Sequence, residues 1–189
     1  MHNIEPFYNW RNYYIASDDE RSPFYGREYS EIEFTHQIYD HFIHPQWDHF
    51  GSPTLFAKIL YANYDQQFSI IELIGEWNDT LNNDIMHFKR NVLDTLMYEG
   101  IDRFLLIGEN VLIFHSSDDC YYEEWFDELD TGWIAMANFQ PHVLREMQDI
   151  NIDHFVLMDD RLQDLNWRTF KPTTICSFVE ELMNKRLTY

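Results

Sequence analysis

Between positions 36 and 49 the chain places His36, Asp40, His41, His44, Asp48 and His49. Imidazole nitrogens and carboxylate oxygens at short spacing are the donors that a zinc or iron site uses. His41 and His44 stand three apart, so on a helix both rings would share one face. His41, His44 and Asp48 are therefore the candidate set for metal-dependent chemistry. The spacing fixes no third ligand and Pro45 would end such a helix at once, so histidines packed within an aromatic wrap are the competing reading.

A second group of titratable residues runs from Asp118 to Asp130, with seven carboxylates in thirteen positions and no Lys or Arg. On a helix, Tyr122, Trp125, Phe126 and Leu129 would point one way and Glu123, Glu124, Asp127 and Glu128 the other. Such a face is either solvated or made for a basic partner. Conventional catalysis has little in its favour. The sequence holds no Gly-rich phosphate loop and no Gly-x-Ser-x-Gly elbow, and Cys120 and Cys176 have no neighbouring base. Glu109, in Gly108-Glu109-Asn110, reads as a loop carboxylate. No cofactor is expected.

Composition narrows the function further. The 189 residues are 45% hydrophobic and 17% aromatic, ample for a core, and the length suits one domain. Thirteen Lys and Arg against 33 Asp and Glu give a formal charge of −20. That charge repels a phosphate backbone and an anionic bilayer alike, so neither nucleic acid nor membrane is an expected partner. Two cysteines outside any Cys-x-x-Cys spacing predict a reduced, cytoplasmic protein. No basic and apolar leader opens the sequence, and no window approaches the ~20 apolar residues of a membrane span.

The elements that must position these residues fall into two parts. Residues 1–53 are dense in aromatic and charged side chains and read as short strands and loops wrapping a core. Alternation predicts a strand from Tyr29 to Phe34, and a short helix is expected through Ile38, Phe42 and Ile43. Residues 54–189 are regular. Leu55 to Tyr64 and Phe68 to Trp77 read as a hairpin. Asn78 or Asp79 then caps a helix with the stripe Leu81, Ile85, Phe88, Val92 and Leu96, closed by Gly100. A strand from Arg103 to Ile107, a short segment from Val111 to Phe114, the acidic helix and a strand from Trp133 to Ala137 follow. A helix with Pro141 at its first position, a fifth strand from His154 to Met158, and a last helix capped by Thr173 or Thr174 complete the order. The expected architecture is α/β, with a mostly parallel central sheet of about five strands and helices packed against it.

This order resembles the STAS domain, the fold of bacterial anti-sigma factor antagonists and of the cytoplasmic ends of sulfate transporters. The similarity spans roughly residues 55–160. It is carried by Gly75-Glu76-Trp77-Asn78-Asp79 at a strand end, Gly100 after the helix, Phe104-Leu105-Leu106-Ile107 in the next strand, and Ala137 to Met147 with its proline turn. The resemblance implies a non-enzymatic regulatory module that binds a protein partner. In that family a serine in Asp-Ser-Ser-Gly is phosphorylated to switch partner binding. His115-Ser116-Ser117-Asp118 stand in that place, so Ser117, with Ser116 beside it, becomes the regulatory candidate. His115, Asp118, Asp119, Glu123, Glu124 and Asp127 become the partner-binding candidates, suited to a basic surface. His115 replaces an aspartate and Asp118 a glycine, and a carboxylate beside the serine opposes an added phosphate. The alternative is that Ser116 and Ser117 cap the acidic helix. Exposed aromatics in the first fifty residues also leave a homodimer open.

Overall fold

A computed structural model of the chain describes residues 3–186. Its centre is a four-stranded sheet of β3 (Leu55–Asn63), β4 (Phe68–Asn78), β5 (Arg103–His115) and β6 (Trp133–Ala137), in that spatial order. β3 and β4 form the antiparallel hairpin, with Leu55 opposite Gly75 and Asn63 opposite Phe68. β4, β5 and β6 are parallel, as helical crossovers require. The sheet is thus mixed and mostly parallel within an α/β architecture.

Strand alternation sorts the core into two layers. Ile71, Leu73 and Trp77 of β4 and Phe104, Leu106 and Val111 of β5 face one way, towards Phe88, Val92, Tyr122, Trp125, Val143 and Met147 of the crossover helices. Phe68, Ile70, Leu105, Ile107 and Trp133 face the other way, where Trp10, Trp167 and the apolar stripe Ile175, Val179 and Leu182 of α7 (Pro172–Arg186) cover them. Helices from the middle of the chain cover one face, and the N-terminal segment and last helix cover the other.

The first fifty residues differ most from expectation. Tyr29 to Phe34 forms no strand: the Ser30 hydroxyl accepts from the amides of Ile32 and Glu33, closing a local turn that leaves Ile32 exposed. The helix expected through Ile38 and Phe42 is instead a two-stranded ribbon, β1 (Gln37–Ile38) with β2 (His41–Phe42), turned by Tyr39 at φ 51°. Side chains of this region still reach the core, with Phe24 and Phe50 in one layer and Trp10 in the other.

Four further differences bear on the site. The helix after β4 is broken: α1 (Asp79–Asn82) ends at Asn83, in the left-handed conformation, before α2 (Asp84–Phe88) begins. A π-helical turn, Lys89–Leu93, then leads into α3 (Asp94–Tyr98). The break turns Leu81 out of the stripe, to 82% exposure. Val111 to Phe114 is no separate segment, because β5 runs unbroken to His115 along the end of β4 and places Glu109 within a strand. The fifth strand shrinks to a single bridge, Ala135 to Leu157, since Ile152–His154 winds into a 3-10 turn. Finally, α7 starts on Pro172 itself, whose fixed φ suits a first helical position, and not on a threonine cap.

Candidate functional site

The carboxyl ends of β4 and β5 lie side by side, with Asn78 registered opposite His115. Loops leaving parallel strands at this end are where open α/β sheets present ligand-contacting residues. The chain leaves β4 through α1, where the Asn78 side chain accepts from the Leu81 amide at 2.9 Å. It leaves β5 through Ser116 to Asp119 and enters α4 (Cys120–Asp127). The C-terminal half of α5 (Pro141–Asp149) forms the third wall. Between them lies an open groove of about 480 Å³, bordered by Leu81, Phe114, His115, Ser116, Glu146 and Ile150.

Below the groove floor Asp79 ties these pieces together. Its carboxylate accepts from the Trp77 indole at 2.9 Å, the Ile85 amide at 2.8 Å and the Tyr122 hydroxyl at 2.8 Å. Burial raises its carboxyl to about 6 even against the three hydrogen bonds, which pull the other way. Asp84, also raised by burial, accepts from the Asn78 amide at 2.7 Å. The turn between β4 and α2 is thus fixed by two buried carboxylates.

The Ser116–Ser117 turn is more open. The Ser116 hydroxyl donates to the Asp118 carbonyl at 2.8 Å, while Ser117 is exposed and its hydroxyl has no hydrogen-bond partner among the described residues. Neither serine caps α4. Asp119 is the N-cap residue, without a side-chain cap bond, and Asp118 accepts from the Cys120 amide at 3.3 Å. His115 stands 4.0 Å from the Glu146 carboxylate and so directs its ring to α5 instead of to a serine. No nucleophile and base meet in this turn. The exposed Cys120 thiol is raised, first by the charge of Asp118 and then by burial and the neighbouring carboxylates, which keeps it protonated and poorly nucleophilic.

The acidic residues divide into two sets. Glu124 pairs with Arg90 at 2.6 Å and with Lys89 at 3.4 Å, and Glu128 also bonds Lys89, whose ammonium is shared with Asp94 at 2.7 Å. Burial lowers the Lys89 pKa, yet these carboxylates more than reverse it and hold the amine above its ordinary value. Asp118, Asp119, Glu123 and Asp127 form no ion pair among the described residues, and their charge is open to solvent. Of the six partner-binding candidates, Glu124 is therefore a structural anchor. Lys89 was missed in the sequence, although its place beside Phe88 and three residues before Val92 put a lysine at the border of the apolar stripe.

The histidine region assembles differently. Asp48, wholly buried, accepts from Tyr29 at 2.6 Å and contacts Arg27 and Lys58, each at 3.2 Å. His44 faces Glu5 at 3.5 Å, His41 is exposed on β2, and His36 stacks on His49 with centroids 4.9 Å apart. Among the described residues no three His, Cys, Asp or Glu side chains converge to hold a metal ion. The set His41, His44 and Asp48 is not brought together, because the lysine and arginine already neutralise Asp48.

A further carboxylate pair escaped the sequence reading. Glu72, buried in the middle of β4, accepts from the Phe7 amide at 2.9 Å and lies 3.8 Å from Arg168. Glu109 binds the same Arg168 at 2.8 Å, and the Trp167 indole at 2.5 Å. Glu109 is no loose loop carboxylate. A glutamate among seven apolar or small neighbours in Phe68 to Gly75 is the signal that could have marked Glu72.

Compared with known proteins, the chain matches no family model, no curated protein and no solved structure.

Proposed function

We propose that this chain is a non-enzymatic, STAS-like interaction module that binds a basic protein segment across the groove at the carboxyl ends of β4 and β5. The observation that carries the reading is the split in the acidic residues. Glu124 and Glu128 are consumed internally by Lys89 and Arg90, whereas Asp118, Asp119, Glu123 and Asp127 stay unpaired on the turn and helix that follow Ser116, which borders the groove together with the 82% exposed Leu81. An apolar groove continued along the chain by unpaired charge of one sign suits a partner with an apolar anchor and flanking Lys or Arg. The order hairpin, helix, strand, helix, strand, helix supports the STAS-like part of the proposal. Ser117 projects from the same rim, so a phosphate there would add about −1.5 to −2 charge beside Asp118 and Asp119 and shift partner affinity.

The test places a photo-crosslinking phenylalanine analogue at Leu81 or Ser117, with Tyr98 on α3 as an exposed control, in cells that make the chain naturally. One adduct of defined mass is expected at positions 81 and 117, lost on Glu123→Lys with Asp127→Lys, and absent at 98. Adducts insensitive to the charge reversal, or none at either position, overturn the proposal.

A further inference from the structure

The chain carries 20 more acidic than basic residues, yet one cavity has the opposite local balance. It lies between the N-terminal segment and the β3 edge, has a volume of about 280 Å³, and shares none of its lining with the groove above. Arg11, Gln46, Lys58 and Tyr29 supply its polar walls, and Phe7 and Leu60 are among its apolar ones. Lys58 and Arg27 both lean on the single carboxylate of Asp48. Arg11 bonds only the neutral Gln46 side chain, at 3.2 Å, and makes no ion pair among the described residues. Glu72 is the register partner of Lys58 across the hairpin, but its carboxyl is engaged by the Phe7 amide and Arg168.

Two cations thus share one carboxylate, and Arg11 adds a third positive charge with no carboxylate of its own among the described residues. Burial pulls the Lys58 ammonium below its ordinary pKa and Asp48 opposes that, while Arg11 and Arg27 push it further down, the mark of positive charges crowding one another. Lys58 also sits 3.7 Å above the Tyr29 ring, which turns an aromatic wall towards the cavity. An incoming oxyanion would relieve the repulsion, and a guanidinium without a carboxylate partner offers it a bidentate fork. The volume holds roughly nine waters' worth of space, which limits the ligand to a small molecule.

We infer that this cavity binds a small organic oxyanion, a carboxylate or phosphomonoester on a planar apolar body, with Arg11 and Lys58 receiving the charge and Phe7 and Tyr29 the body.

The test titrates the full chain with benzoate, phenyl phosphate, inorganic phosphate and the neutral benzamide, by calorimetry and amide chemical-shift mapping. Saturable one-site binding of benzoate or phenyl phosphate is expected, with shifts centred on Arg11, Tyr29 and Lys58. The tighter of the two identifies the headgroup, and benzamide should bind about tenfold or more weakly. Arg11→Gln, at an exposed position, should keep the thermal midpoint and weaken binding about tenfold, with Arg11→Lys intermediate. Binding of benzamide equal to benzoate, binding unchanged in Arg11→Gln, or no binding by either organic anion overturns the inference.

Discussion

The Tyr122 hydroxyl donates a 2.8 Å hydrogen bond to Asp79, tying the acidic helix to the turn that leaves β4. Tyr122 is wholly buried, so Tyr122→Phe removes the bond without opening a route for water. A loss of about 1–2 kcal/mol is expected. The pH dependence is specific. Burial raises Asp79 from 3.8 to about 6, so the folded state holds its proton more tightly and the stability linked to Asp79 falls as pH rises through that window. The phenol favours the charged form, and its removal raises the carboxyl further. The deficit of Tyr122→Phe should therefore be larger at about pH 7.5 than at about pH 4.5. Urea unfolding at both pH values checks this, and a pH-independent deficit would sink the account.

Glu72 shifts in the same direction and by a similar amount. Burial raises it from 4.5 to about 7, against the pull of the Phe7 amide and Arg168. Its stabilising share is complete below about pH 4.5 and is lost as pH climbs through 7. Glu72→Gln keeps an acceptor for the Phe7 amide and removes the cost of the charge. The variant should match the parent near pH 5 and exceed it by about 1–3 kcal/mol near pH 8. A variant weaker than the parent at pH 8 would show that Arg168 outweighs burial.

Two adjacent glutamates on α4 should behave oppositely. Glu123 is exposed and forms no ion pair among the described residues, whereas Glu124 holds Arg90 and Lys89. Glu123→Lys is expected to change stability by no more than about 0.5 kcal/mol. Glu124→Lys sets a third cation against Lys89 and Arg90 and should cost about 1–3 kcal/mol, partly recovered in high salt. Thermal unfolding of both variants at two salt concentrations separates them. Equal effects would mean that the Lys89 cluster contributes nothing, and partner-binding tests should then use either position freely.

How far the sequence exposed all this depends on distance along the chain. The hairpin, β6, and the helices α5 and α7 were legible because alternation, the apolar stripe and Pro141 act within a few residues. Asn78 read as a cap and is one. The long helix was overcalled because the left-handed Asn83 and the exposure of Leu81 leave the apolar spacing unbroken. The region from Tyr29 to Asp48 misled for another reason: its conformation is set by contacts between residues far apart in the chain, such as Tyr29 to Asp48. A turn before α4 follows from the apolar segment ending at Phe114 and the acidic helix after it, whereas singling out Ser117 within it rests on the resemblance. The pairing of Glu124 with Lys89 and Arg90, more than thirty residues earlier, carries no local pattern.

Gly75 shows how narrowly the groove is placed. Its φ is +119°, and an added Cβ would stand 2.0 Å from the Thr54 carbonyl oxygen. That oxygen accepts from the Glu76 amide at 2.9 Å, while the Thr54 hydroxyl donates to the Glu76 carbonyl at 3.0 Å. A side chain at position 75 must therefore push β4 off the start of β3, three residues before Asn78 and the groove. Gly75→Ala is expected to cost about 3 kcal/mol or more, combining backbone strain with the clash. Gly26→Ala is the control, because Gly26 also has positive φ, +70°, but nothing within 4 Å of the added atom. It should cost only about 1 kcal/mol. Urea unfolding of both variants decides the matter: equal losses would assign the role of Gly75 to its backbone angle alone, and a much larger loss at 75 assigns it to the close approach of Thr54.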